Sequence, residues 1–304
     1  QAKYVMGAQA NLWTEYITTV EQVEYMVLPR MLALAEVVWS PKESRDWTGF
    51  SQRLKYHFRG FDQKGYHYSK GNFKVAVKPS SAGGKLSATL ATEALNGEIY
   101  YTTDGTDPNT GSTKYTTPIL IDSSINLKAV TVVDGQVMGM KPAQQSFSMH
   151  KAIGRAVQYA NPYSRYYPAD GPNTLTDGVR GTEAVGKYYH GFSGVDLVAT
   201  IDLGVEKSIS TITLGTLQQN RDWIFLPKWV KFEVSDDGKN FTEVGTITNT
   251  ISPNEMTVKK DFTTTFIPRN SRYVRVTAKN GLAPAGHPGE GKPGWIFADE
   301  IVVN

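Results

Sequence analysis

The sequence predicts a mainly β, multidomain chain whose opening portion alone reads as α/β. Three observations predict it. Apolar residues recur at helical spacing only between residues 20 and 60. From residue 73 onward period-two alternation takes over, in Lys74-Val75-Ala76-Val77-Lys78, Glu98-Ile99-Tyr100-Tyr101-Thr102 and Leu127-Lys128-Ala129-Val130-Thr131-Val132. Turn signals then punctuate the chain at short intervals: Ala82-Gly83-Gly84, Asn96-Gly97, Asp104-Gly105 and Asp134-Gly135. The chain's 304 residues have room for two or three domains, and the composition shifts divide it at 1–72, 73–150 and 151–304.

Composition narrows the function classes. The net charge is +3, from 32 Lys and Arg against 29 Asp and Glu, with no run of five basic residues. No nucleic-acid partner is indicated by so mild and scattered a charge. The absence of cysteine excludes disulfides, thiolate metal sites and cysteine nucleophiles. No run of 18 apolar residues is present, so no membrane-spanning helix is expected.

In the first block, Val5 to Leu12 reads as a buried strand that ends on Trp13 and Glu15. An indole offers a flat apolar wall and a carboxylate offers acceptors for hydroxyls, a pairing that suits a sugar ring. Thr18-Thr19-Val20-Glu21 reads as a capping box opening a helix over 20–27. Pro29 fits the first turn of a second helix, with Leu32, Ala35, Val38 and Trp39 on its apolar face and Pro41 closing it. A third helix is expected over 43–60, with Trp47, Phe50, Leu54 and Phe58 on one stripe. His57 and His67 read as surface or packing residues, because no carboxylate stands near them at metal-ligand spacing.

Gly7-Ala8-Gln9-Ala10-Asn11-Leu12-Trp13-Thr14-Glu15 and Pro29-Arg30-Met31-Leu32-Ala33-Leu34-Ala35-Glu36-Val37-Val38-Trp39-Ser40 resemble the end of the catalytic (β/α)8 barrel of family 20 glycoside hydrolases, the β-N-acetylhexosaminidases. The resemblance implies that Trp13 forms part of the pocket around an N-acetylhexosamine ring and that Glu15 accepts from its outer hydroxyls. It also implies substrate-assisted retaining catalysis, in which the substrate's acetamido oxygen attacks the anomeric carbon. That mechanism needs an adjacent Asp-Glu pair on an earlier strand, and none precedes Gly7. The chain therefore reads as the C-terminal portion of a longer enzyme, inert alone and secreted, periplasmic or at the cell surface. Its partner would be a glycan bearing terminal N-acetylglucosamine or N-acetylgalactosamine. A strand and helices parted from a barrel should be partly disordered or self-associate.

The second block reads as a small β-sandwich. Tyr100-Tyr101-Thr102-Thr103-Asp104-Gly105-Thr106-Asp107-Pro108, with Tyr115 and Pro118, resembles the immunoglobulin-like domain that follows the barrel in chitobiases. Asp104 and Asp107 are turn-forming residues in this reading, not metal ligands.

In the third block, Ala199 to Gly204, Ile209 to Leu214, Trp229 to Val234 and Tyr273 to Val276 read as strands, and Ser235-Asp236-Asp237-Gly238-Lys239-Asn240 as a hairpin turn. About eight strands with polar loops fit a jelly roll. Leu175 to Thr182, Ile201 to Gly204, Val230 to Gly238, Tyr273 to Val276 and Ala298 to Ile301 resemble, in that order, the discoidin or coagulation-factor C-type domain, a fold shared with family 32 carbohydrate-binding modules. The resemblance implies a structural Ca2+ held by Asp177 and Thr182 on one side and by the Ala298 carbonyl and Glu300 on the other, with sodium or no ion as the alternatives. Sugar binding in such modules uses loops at one end, and His190, Arg221 and Trp223 are the candidates for a second glycan site. Trp295 is expected in the core. The rival reading is a non-catalytic carbohydrate-binding or adhesion module acting through 151–304.

Overall fold

A computed structural model describes residues 4–82, 84–185 and 187–304. The expected Ala82-Gly83-Gly84 turn includes Gly83, which lies outside the described residues. Three helices open the chain: α1 (Val20–Val27), α2 (Arg30–Trp39) and α3 (Trp47–Lys64). The α1 cap sits one residue later than the sequence suggested. The Thr19 side chain accepts from Gln22 N–H, and the Gln22 side chain reaches back to accept from Thr18 N–H. The start of α3 is likewise set by a cap. Asp46 accepts from Thr48 N–H and Gly49 N–H at 3.1 and 2.6 Å, so the helix runs over 47–64, not 43–60.

The expected strand from Val5 to Leu12 is not formed; the segment is irregular and almost wholly exposed. A strand's N–H and C=O groups need a neighbour, and no strand pairs with this segment among the described residues. The helices bury little. Phe58 of α3 packs with Leu28, Tyr68, Phe73, Ala94 and Val133, a small cluster that joins the helical block to the sandwich beneath it.

That sandwich comprises β1 (Ala76–Ala82), β2 (Lys85–Ala91), β3 (Glu98–Thr102), β4 (Thr113–Lys114), β5 (Ile119–Ile121), β6 (Ile125–Val133) and β7 (Gln136–Phe147). One sheet runs β1-β2-β5, and the other runs β4-β3-β6-β7. Inward residues of both sheets, Leu86, Ala88, Ile99, Ile121, Leu127 and Phe147 among them, form one core. Asp134 and Gly135, with φ of 51° and 76°, make the two-residue turn between β6 and β7.

The third block holds β8 (Val157–Tyr159), β9 (Val179–Arg180), β10 (His190–Ser193), β11 (Leu197–Gln219), β12 (Trp229–Ser235), β13 (Thr242–Thr248), β14 (Thr257–Ala278) and β15 (Trp295–Val303). Its sheet runs β10-β15-β11-β14-β12-β13, with β8 also on β11. The two segments expected as separate strands near 201 and 212 form one long β11, bent by irregularities between Asp202 and Lys207 and between Ile209 and Thr211. The bend lets one strand serve both walls around the core of Phe192, Ile201, Leu214, Phe232, Phe262 and Val276. The Ser235–Asn240 turn forms as expected: Gly238 has φ of 71°, and Asp237 accepts from Lys239 N–H and Asn240 N–H. Strand β9 crosses the boundary between blocks. It pairs with the end of β7, Val179 against Phe147, so the sandwich sheet continues into the jelly roll.

Candidate functional site

At one end of the jelly roll, the segment after β11 and the loop before β15 meet. Residues 220–222 form a single tight turn, and Trp223 follows it with φ of 62°. That backbone turn swings the indole against the second loop. Its ring lies on the backbone of Gly289, where any side chain would collide with it. His287 meets the ring edge-on at 5.4 Å, and the Lys292 ammonium sits 5.9 Å above it. Gly289 N–H donates to His287 Nδ1, which leaves the proton on Nε2 to donate to the Asn220 carbonyl. The two loops are thus fastened to each other beneath a half-exposed indole. Arg221, two residues before Trp223, is exposed and has no hydrogen-bond or ion-pair partner among the described residues. A flat aromatic face with a free guanidinium can stack on a sugar and hold its hydroxyls. Trp295, expected in the core, is half-buried and edge-on to Tyr167 at 5.2 Å.

His190 does not join this group. It is 0% exposed and stacks on Tyr163 at 3.9 Å. Its Nε2 lies 3.1 and 2.9 Å from the Pro168 and Gly171 carbonyls, and Nδ1 lies 3.1 Å from the Tyr159 hydroxyl. The expectation of a sugar contact is corrected here: β10 points this ring inward, and both nitrogens are spent on the framework. Burial pushes its pKa down to about 4.

The residues expected to bind a metal divide in two. Glu300 is buried within β15 and accepts from Gly178 N–H at 2.9 Å. Its other oxygen lies 2.9 Å from His150 Nε2. Ala152 N–H donates to His150 Nδ1, so the ring proton resides on Nε2 and faces Glu300. Asp177 lies close to Glu300 and accepts from Val179 N–H. Burial, then the Glu300 charge, pushes the Asp177 carboxyl up to about 10. Burial also holds Glu300 well above the ordinary carboxylate range. Two acids meeting inside a protein keep a proton between them. Thr182 stands exposed, its hydroxyl accepting from Ala184 N–H and its carbonyl from the Tyr189 hydroxyl. Ala298 is buried at the centre of β15, paired on both sides. Among the described residues no group of three or more His, Asp or Glu side chains is arranged to hold a metal ion.

At the other end of the chain, Trp13 is 74% exposed and Glu15 is also solvent-facing. Among the described residues no element packs these two into a pocket.

Residues 1–42 match the catalytic domain of glycosyl hydrolase family 20, residues 88–138 match an Fn3-associated segment, and residues 155–290 match the F5/8 type C domain. Successive parts of the chain are thus similar to family 20 glycosyl hydrolases at the start and to the F5/8 type C domain over residues 155–290. It is 33% identical over 160 residues to a beta-hexosaminidase of Porphyromonas gingivalis, covering 50% of this chain and 20% of that protein. It is 39% identical over 64 residues to a beta-N-acetylhexosaminidase of Cellulomonas fimi, covering 21% and 13%. A beta-hexosaminidase of Vibrio vulnificus is 62% identical over 34 residues, 11% of this chain and 4% of that protein. The chain thus spans no more than a fifth of the length of these relatives. Among solved structures, chitosan-binding module 1 of a Paenibacillus chitosanase/glucanase aligns with 51% of this chain and 98% of its own length, at 18% identity and a TM-score of 0.34.

Within the jelly roll, the adjacent acids Asp299 and Glu300 face opposite sides of β15. Neither is an open catalytic acid, since they are 1% and 0% exposed. Asp299 accepts from Arg180 Nε at 3.0 Å and Gly181 N–H at 2.8 Å, and Arg180 also reaches Asp261 at 2.5 Å. Sequence reasoning missed this clamp and missed His150. One signal was available: a pair of charges inside the apolar run Ile296-Phe297-Ala298-Asp299-Glu300-Ile301-Val302-Val303 demands buried partners. No helix among the described residues is long and apolar enough to cross a membrane.

Proposed function

We propose that this chain works within a glycoside hydrolase that removes terminal N-acetylhexosamine from glycans. Residues 1–42 would close one side of its substrate pocket, and the F5/8 type C domain would hold the glycan nearby. The observation that carries the proposal is the family 20 match over residues 1–42, a stretch in which Trp13 and Glu15 face solvent. The indole would cover the apolar face of the ring, and the carboxylate would accept from its outer hydroxyls. Residues 1–42 contain no aspartate. The Asp-Glu pair that orients the acetamido group and protonates the leaving oxygen would come from elsewhere in the catalytic domain, and this chain alone should be inert. Secretion, or display in the periplasm or at the cell surface, follows from a polymeric glycan substrate.

The test is hydrolysis of p-nitrophenyl N-acetylglucosaminide and N-acetylgalactosaminide by this chain joined to a complete family 20 domain. Turnover that collapses on Glu15→Gln supports the proposal. Turnover unchanged by that substitution removes Glu15 from the pocket, and no turnover in any form sinks the enzyme reading.

A second reading, glycan binding or adhesion through 151–304 without catalysis, is favoured by the half-exposed Trp223 and the free Arg221. It requires the chain to bind N-acetylhexosamines calorimetrically and Trp223→Ala to lose that binding. In either reading a hard cation, calcium foremost, would replace the proton between Asp177 and Glu300. Two carboxylates are donors of the class it takes, and the Ala298 carbonyl and Thr182 would complete the set only in part, leaving further carbonyls and water. A melting temperature unmoved between calcium and a chelator would exclude the ion.

A further inference from the structure

A second concave surface lies away from the loop end. It is a cleft of about 1260 Å³ between the helical block, the outer edge of the β-sandwich and the Lys187-Tyr188 segment of the third block. Its walls follow from strand alternation. At the start of β1, Val75 points into the sandwich core while Lys74, Ala76 and Lys78 point outward. Lys141 of β7 and Lys187 line the same cleft.

The cationic character of this cleft is local. Residues 73–150 hold six lysines against six acidic residues. Three of those acids are committed elsewhere, Glu98 to Lys114, Asp107 to Lys128 and Asp134 to Lys55. Lys74, Lys78, Lys141 and Lys187 form no ion pair among the described residues. Glu21, Asp62 and Glu93 also border the cleft, and none of them is paired with these four lysines. Tyr66, 42% exposed, and the half-buried Tyr188 add aromatic faces.

We propose that this cleft binds an anionic polysaccharide, its sulfate or carboxylate groups on Lys74, Lys78, Lys141 and Lys187 and its sugar faces on Tyr66 and Tyr188. The size fits several linked sugars, since sites for single small molecules run from about 300 to 1,000 Å³. Ammonium groups on flexible stems act as point charges and accept either anion without the fixed geometry a guanidinium requires. Tyrosine rings add the stacking that distinguishes a sugar chain from any other polyanion. An acidic peptide added as a strand along β1 is disfavoured, because Pro79 removes a backbone donor from that edge.

The test is affinity electrophoresis of the full 304-residue chain in gels containing heparin, polygalacturonate, neutral dextran or polyglutamate. Retardation by heparin identifies sulfate esters as the recognised anion, and retardation by polygalacturonate identifies carboxylates; either supports the proposal. Lys74→Gln, Lys78→Gln and Lys141→Gln together should weaken binding at least about tenfold, from three exposed charge contacts. Tyr66→Ala should weaken it further at unchanged charge, and Trp223→Ala should leave it intact. Surface lysines and a half-exposed tyrosine can be replaced without loss of the fold, which far-UV circular dichroism checks. The proposal is overturned by retardation in neither polysaccharide, by polyglutamate binding as tightly, by a triple variant that binds like the parent, or by loss on Trp223→Ala. In the first case the lysines only blunt a strand edge.

Discussion

In the jelly roll, alternate residues of β12 are sealed: Val230, Phe232 and Val234 are all 0% exposed. In α2, residues at equally regular helical spacing stay open, with Val38 at 45% and Trp39 at 87% exposure. Trp13 and Trp47 are exposed in the same way. Periodicity states which face of an element seeks burial, and it does not supply the surface that covers it. Twenty or so apolar side chains close on one another in the jelly roll, whereas the helical block shares one small cluster with its neighbour. Exposed large apolar side chains gathered on one block suit a place where another surface belongs.

The largest expected effect tests that contrast directly. Phe232→Ala should cost about 3–5 kcal/mol, the range for emptying a closed aromatic site. Trp39→Ala should change stability by no more than about 0.5 kcal/mol. Urea unfolding followed by circular dichroism reads both. Equal losses would mean that α2 is packed as tightly as β12, and the contrast would fail.

The next effect sharpens the picture of the jelly roll as a closed interior. His190 is neutral when folded, its pKa pushed down to about 4 by burial from an ordinary value of 6.5. Between those values the unfolded chain binds a proton that the native chain refuses, so stability falls as pH drops from 6.5 toward 4. The slope is about 1.4 kcal/mol per pH unit for one such group. Asp177, pushed up to about 10, works in the opposite direction. The measurement is therefore the difference between parent and His190→Gln at each pH, in which the shared groups cancel. The parent should lose stability relative to the variant over that window. A difference that stays flat would mean that His190 is open to solvent.

The parts legible in the sequence were those decided by near neighbours. Asp237 and Gly238 specify their turn from within six residues, and Asp134-Gly135 specifies its hairpin. Trp223 was placed at a loop end and stands there half-exposed. What was not legible depends on partners far along the chain. Val5 to Leu12 has strand composition, yet a strand is a property of a pair. His190 sits in a polar-looking run, and only the pairing of β10 with β15 shows that its ring faces inward. Glu300 was visible as an acid, but His150 is 150 positions away, and no spacing rule connects the two.

The smallest effect addresses what holds the helical block together when packing contributes little. In α3 only Phe58 is buried, so local interactions must carry more of its stability than in the buried strands β11, β12 and β15 of the jelly roll. Asp46 satisfies two N–H groups at the start of that helix, which have no partner within the helix itself. Gly65, with φ of 71°, closes the other end. Replacing Asp46 by alanine should cost about 1 kcal/mol, and by serine much less, because a hydroxyl can still accept from the same turn. The informative reading is where the loss falls. If the block is held by caps and one small cluster, Asp46→Ala should lower the melting of the helical signal at 222 nm while leaving the aromatic near-ultraviolet signal of the jelly roll in place. A single transition displaced equally in both signals would show that the helices unfold as one unit with the sandwich and jelly roll. The contrast between the two ends would then be one of exposure only, not of stability.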